Sequence, residues 1–202
     1  MSHGPTLTGF NRDELIVMAD VSAKEGQLGK RESGILKNLL RLRKTHVQDV
    51  LTPRTVVFSL PENLRVEEFF WKYEAIRYSR IPIYRDDPEH LDGFVLRSDL
   101  LLAQARGNTD TPLATYRRDL QAVPETSTLL QAFEVFLRDH LHMMVVVNEY
   151  GETEGIVTLE DVIETLLGLE IVDESDKTED LQVLARRLWR KRARKMGIDT
   201  DE

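Results

Sequence analysis

With 202 residues, 41% of them hydrophobic, the chain can bury one full core or two small ones; no apolar run approaches the roughly 18 residues needed to cross a bilayer, so a soluble protein is expected. The formal net charge of −8 is uneven: residues 181–196 hold seven basic residues and no acidic one, and 27 less these seven leaves 20 basic against 35 acidic, a formal −15 that disfavours nucleic-acid binding by the body. The absence of cysteine fits a reducing compartment, and Met1 to Gly4 lack the charged-then-apolar start of a signal peptide.

Residues 11–44 read as two helices. Asn11 with Glu14 three residues on forms a capping-box pattern, and Leu15, Ile16, Met18 and Ala19 give an apolar face. Gly26 and Gly29 interrupt, and a second helix from about Glu32 carries Ile35, Leu36, Leu39 and Leu40 at helical spacing. This segment has too little core to stand alone.

Residues 45–107 form a first unit. Val66, Phe69, Phe70, Tyr73 and Ile76 predict one helix stripe after Pro61; Ile81 to Tyr84 predict a strand, Asp86-Asp87-Pro88 a turn, Gly93 to Leu96 the hairpin partner, and Asp99 onward a second helix. Residues 108–170 repeat it. Leu129, Phe133 and Phe136 stand 63 positions after Val66, Phe70 and Tyr73; Met143 to Val147 predict the strand, Asn148 to Gly151 the turn, and Val162, Ile163, Leu166 and Leu167 line the closing helix. The regular offset indicates two copies of one strand, helix, strand, strand, helix unit related by a pseudo-two-fold, which makes matching clefts, the usual seats of small ligands. In residues 171–198 an acidic stretch precedes a basic helix with apolar Leu181, Leu184 and Leu188, an order of charge that suits the helix dipole.

Two readings stand for Thr158-Leu159-Glu160-Asp161, which follow a strand and open a helix. Thr158 and Asp161 can form a plain capping box; equally, the free N–H groups there favour phosphate and the Asp161 carboxylate can accept from both hydroxyls of a ribose. Asp99 recurs at the same place in the first unit, where Leu96 replaces the threonine and no equivalent box exists, which weighs toward a second use for the aspartate while the capping reading stands. In Tyr78-Ser79-Arg80-Ile81-Pro82, Arg80 is able to fork onto phosphate oxygens and Pro82 to cover an adenine face, against the plainer reading of a surface arginine and an edge-strand proline. Thr52-Pro53-Arg54 can offer a hydroxyl to a base, or be a simple turn.

Enzyme signatures are missing. Gly26 to Arg31 end like a phosphate loop but have the wrong glycine spacing and no Ser or Thr after the lysine; no dinucleotide fingerprint, His-Glu-x-x-His helix or nucleophile elbow is present. His140 and His142 lack further ligands, so no metal site is expected, and His142 reads as a partly buried residue matching Ser79. The basic helix can lie on anionic lipid, on a partner, on the acidic body, or in solvent.

The strings Val50 to Thr55, Tyr78 to Tyr84, Asn148 to Gly151 and Gly155 to Gly168 resemble, in order and spacing, the tandem cystathionine-β-synthase (CBS) domains, or Bateman module, of the CNNM/CorC group, often labelled hemolysin-like. The resemblance implies an α/β (α+β) fold of two CBS domains with N-terminal helices and a C-terminal basic helix. It implies a non-enzymatic regulatory module on the cytoplasmic side of the inner membrane, belonging to a protein for magnesium or other divalent cations whose membrane-embedded domain lies outside this sequence. It further implies a homodimer that binds an adenine nucleotide (AMP, ADP or ATP), with or without Mg²⁺, through Thr52, Tyr78, Arg80, Pro82, Thr158 and Asp161. Asp99 and His142 mark a second cleft, in which Leu96 stands where the site would want a hydroxyl. Asn148 departs from the aspartate common in the group's turn. The alternative is a structural dimerisation module without ligand.

Overall fold

A computed structural model describes residues 10–168, so the expected basic helix lies outside the described residues. Helices α1 (Arg12–Lys24) and α2 (Lys30–Arg41) form an antiparallel entry hairpin. Asn11 and Glu14 close the expected capping box, the Glu14 N–H donating to Asn11 Oδ1 at 2.9 Å and the Asn11 N–H to Glu14 Oε2 at 2.8 Å. The second helix starts at Lys30 rather than Glu32, because the Glu32 carboxylate reaches back to accept from the Gly29 N–H at 2.8 Å and stabilises the two added residues. Buried Ser33 donates to the Ala19 carbonyl at 3.0 Å and fastens the two helices together.

The first unit consists of β2 (Leu60–Pro61), α3 (Val66–Lys72), β3 (Arg80–Tyr84), β4 (Gly93–Leu96) and α4 (Arg97–Ala105); the second of β5 (Gln121–Pro124), α5 (Leu129–Arg138), β6 (Met143–Val147), β7 (Thr153–Thr158) and α6 (Leu159–Leu167). In each, the first two strands of the sheet pair parallel and the hairpin antiparallel. The stripe of α3 is shorter than expected: the helix ends at Lys72, with Tyr73 its C-cap, and Ile76 lies beyond it. Tyr73 and Ile76 still pack on the first core, held by tertiary contact and not by helical periodicity.

The segment leading into the sheet of each unit completes the other unit. Leu42, Val47 and Leu51 are buried in the second core with Phe136, Met144 and Val157, and Thr52–Pro53 form a short strand, β1, pairing antiparallel with β7 through Thr52↔Ile156 and Pro53↔Gly155. Of Thr52-Pro53-Arg54, considered as a simple turn, Thr52 and Pro53 are therefore a strand of the second sheet, whose order is β1-β7-β6-β5, while Arg54 lies in the turn that follows, closed by the Val56 N–H donating to the Pro53 carbonyl at 2.9 Å. Reciprocally, Leu113 is buried in the first core with Phe69, Ile81 and Val95. Phe94 and Arg118 bridge β4, the Phe94 N–H donating to the Arg118 carbonyl at 2.9 Å and the Arg118 N–H to the Phe94 carbonyl at 2.8 Å. A third buried group, Leu91 with Met143 and Ile156, joins the two units.

Glycine is required at both crossings. A Cβ on Gly93 would stand 2.6 Å from the Arg118 carbonyl oxygen, and one on Gly155 would run into the Thr52 carbonyl oxygen and lie 2.9 Å from Leu51. The outer face of α6 is covered by α2, where Asn38 Nδ2 donates to the Leu166 carbonyl at 3.2 Å.

Candidate functional site

Thr158 ends β7 in extended conformation and is the N-cap of α6. Its N–H and its hydroxyl both donate to Asp161 Oδ2, at 2.7 and 2.8 Å, and the Asp161 N–H donates back to Thr158 Oγ1 at 3.3 Å. The capping box is real. Yet among the described residues every hydrogen bond to this carboxylate goes to Oδ2, which leaves Oδ1 available to a ligand. Burial removes water from the carboxyl group and pushes its pKa up to about 6, against the pull of its two Thr158 hydrogen bonds. A donor arriving at Oδ1 would therefore relieve an under-solvated anion.

Thr52 lies on the same sheet, paired two residues before Thr158 in β7. Six residues later Phe58 places its ring 5.9 Å from that of Tyr78, so the strand-to-strand connection runs from the Thr52 end of one sheet to the Tyr78 end of the other. Arg80 opens β3 opposite Leu96 and makes no ion pair among the described residues. Pro82 is buried in β3, the central strand of its sheet, which corrects the edge-strand alternative. It is tolerated because Phe94, opposite it, spends its N–H and carbonyl on Arg118; Pro82 thus faces β4 at a position needing no donor. Ile81 and Ile83 point into the first core, so by strand alternation Arg80 and Pro82 share the opposite face.

The pseudo-equivalent cleft differs in chemistry. Leu96 caps α4 without a side-chain bond. Asp99 instead accepts from Arg118 Nη2 at 2.9 Å. His142 is exposed, a correction to the expected partial burial, because it lies just before β6 where only its carbonyl is used, accepting from the Leu159 N–H at 3.1 Å. The Ser79 carbonyl accepts from Arg97 at 3.0 Å in the matching way. Among the described residues no cluster of three or more His, Asp or Glu side chains is placed to hold a metal ion.

Reading the sequence missed Arg118 and Arg54. Arg54 Nη1 donates to the Thr153 carbonyl at 2.7 Å and its Nε to Glu89 at 3.1 Å, tying the residue after β1 to the second hairpin and to the β3–β4 loop of the first. Neither shows in local pattern, since both partners are distant in sequence.

Comparison with known proteins now fits this architecture. The CBS-domain family profile matches residues 47–106 and 114–168. The chain belongs to the CBS-domain family. Within that family, the pair is of the CNNM/CorC kind. It is 32% identical over 197 residues, 98% of its length, to the UPF0053 protein sll1254 of Synechocystis sp.. To the magnesium and cobalt efflux protein CorC of Escherichia coli it is 28% identical over 185 residues, 91% of its length. The chain spans 57% and 63% of those two relatives. The CBS domain of a bacterial CNNM/CorC family Mg²⁺ transporter superposes with a TM-score of 0.75 at 30% identity, covering 82% of this chain and 100% of that one. The CBS domain of a transporter of that family in complex with ATP gives 0.65 at 31% identity, covering 69% and 99%. No helix among the described residues of the CBS pair is long and apolar enough to cross a membrane.

Proposed function

We propose that this CBS pair is the adenine-nucleotide-binding regulatory module, without enzymatic activity, of a divalent-cation transport protein, held on the cytoplasmic side of the membrane by a membrane domain of the same protein. The observation that carries the reading is the Asp161 carboxylate: fixed at a helix N-terminus through Oδ2, poorly solvated, and with Oδ1 open for a ribose hydroxyl. Thr52, Tyr78, Arg80 and Pro82 supply the rest of the site, Arg80 as an uncommitted cation for phosphate, and Pro82 and Tyr78 as flat surfaces for a base. The complex of a 31%-identical CBS domain with ATP supports the choice of ligand. A nucleotide alters a transporter's state only if it binds two arrangements of the module unequally; Mg²⁺ carried on its phosphates is one physical link to cation level.

The module works as a homodimer. Leu101 and Leu102 on α4 and Leu137 on α5 are between 43% and 55% exposed, an apolar surface suited to a second copy. Sedimentation as a monomer at micromolar concentration would refute this. The seven cations of residues 181–196 contact anionic lipid in the intact protein, each adding on the order of 1 kcal/mol of attraction; deletion after residue 180 then abolishes association with anionic vesicles.

Calorimetric titration of ATP, with and without Mg²⁺, tests the central reading. One ATP per chain is expected, and Asp161→Ala weakens binding by about 1.5–3 kcal/mol, the range for hydrogen bonds to a charged group. The second reading, a dimerisation module without ligand, is favoured by the complete capping box and predicts no heat of binding at all.

A further inference from the structure

The geometry points to Arg118 as an internal plug: it occupies, in the Asp99 cleft, the place that Thr52 takes in the Asp161 cleft, and it holds Asp99 in the contact a nucleotide ribose would otherwise make. This inference rests on the nucleotide-binding reading above and explains why the pair has one site.

The equivalence of Thr52 and Arg118 follows from two observations. In strand register, Thr52 pairs with Ile156 and Arg118 with Phe94, which are 62 positions apart, the offset that separates Asp161 from Asp99 and Thr158 from Leu96. In packing, the Thr52 carbonyl closes on Gly155 and the Arg118 carbonyl on Gly93, with the preceding residues, Leu51 and Arg117, next nearest in each case. Backbone and glycine are thus conserved between the halves while the side chains are exchanged.

The exchange changes the chemistry of the cleft. On β1, paired with Ile156 two residues before Thr158, stands Thr52, a small hydroxyl without a side-chain hydrogen bond among the described residues, and the capping hydroxyl of Thr158 orients the Asp161 carboxylate. Beside Asp99 stands a guanidinium 2.9 Å from the carboxylate oxygen, and Leu96 offers no capping bond to orient it. A ribose approaching Asp99 must displace a charge-assisted hydrogen bond and gains no cap in return. Arg118 is held in place by its own backbone bridge to Phe94, so its side chain can be changed without removing that support.

The test is the stoichiometry of ATP binding to the whole chain. Arg118→Thr combined with Leu96→Thr is expected to raise it from one ATP per chain to two, and in an Asp161→Ala background to leave one, at the new site. Arg118→Asn with Leu96→Thr serves if the first pair fails to fold, with circular dichroism reporting the fold. Wild type binding one ATP and both folded double variants also binding one overturns the plug and leaves the nucleotide reading intact. Wild type binding none overturns that reading; a double variant that then gains one ATP still supports the plug, and one that gains none overturns it. Two ATP in the wild type overturns it at once.

Discussion

Asn148 and Glu154 face each other across the second hairpin, the amide Nδ2 donating to Glu154 Oε1 at 2.9 Å and also to Glu152 Oε2 at 3.0 Å. The same side chain accepts from the Tyr150 and Glu152 N–H groups through Oδ1, each at 3.0 Å, which is what an aspartate would do equally well. The amide is the part an aspartate lacks. Asn148→Asp therefore sets a third carboxylate against two others and is expected to cost about 1 kcal/mol at low salt, shrinking as salt screens it. Urea denaturation at two ionic strengths measures both quantities.

Asp161 gives the protein a pH signature. Its carboxyl is raised from an ordinary 3.8 to about 6 by burial, so the folded chain holds this proton more tightly than the unfolded one. The stability it contributes is full below about pH 4 and lost as pH rises through about 6, on the order of 2–3 kcal/mol in all. Asp161→Asn keeps the acceptor for Thr158 without the charge. The variant should be more stable than wild type at pH 7 by a margin that vanishes near pH 4, while binding ATP more weakly. Equal stability at pH 7 would show that the carboxylate is better solvated than its burial implies.

Gly155→Ala drives a methyl group into the Thr52 carbonyl, a backbone atom with no rotamer to retreat to. Strand β1 must shift, with an expected cost of about 1–3 kcal/mol. Because β1 carries Thr52, ATP affinity should fall together with stability, as calorimetry and chemical denaturation on one preparation can establish.

Val47 precedes the first strand of the first sheet but is fully buried in the second core. Val47→Ala is expected to destabilise by about 2 kcal/mol, and residues 108–168 expressed alone, lacking Leu42, Val47 and Leu51, should show no cooperative thermal transition by circular dichroism. A sharp melt of that fragment would contradict the exchange of segments between the two cores.

Features that depend on neighbours a few positions apart were legible in the chain before folding was considered. The two helix caps at Asn11 and Thr158 need only residues three apart, and the Ile81 to Tyr84 and Met143 to Val147 strands announce themselves by continuous apolar character. The duplication was equally legible, since it is a comparison of the chain with itself. Tyr73 and Ile76 misled because apolar spacing records burial, and a side chain past a helix end can be buried as well as one within it. His142 misled because strand equivalence to Ser79 fixes only the backbone carbonyl's role, leaving the side chain outside.

How the halves exchange their leading segments, and hence which residue pairs with the strand before each aspartate, follows from contacts that form on folding. Thr52 and Asp161 are 109 positions apart and Arg118 and Asp99 are 19, yet they hold corresponding places because β1 and the Arg118 bridge each cross to a sheet edge at a glycine. Backbone pairing across such distances leaves no periodicity in the chain, and a salt bridge such as Arg118 with Asp99 leaves none either. Local chemistry made both aspartates visible as candidates, but the difference between an open carboxylate and a plugged one belongs to partners that only folding brings into contact.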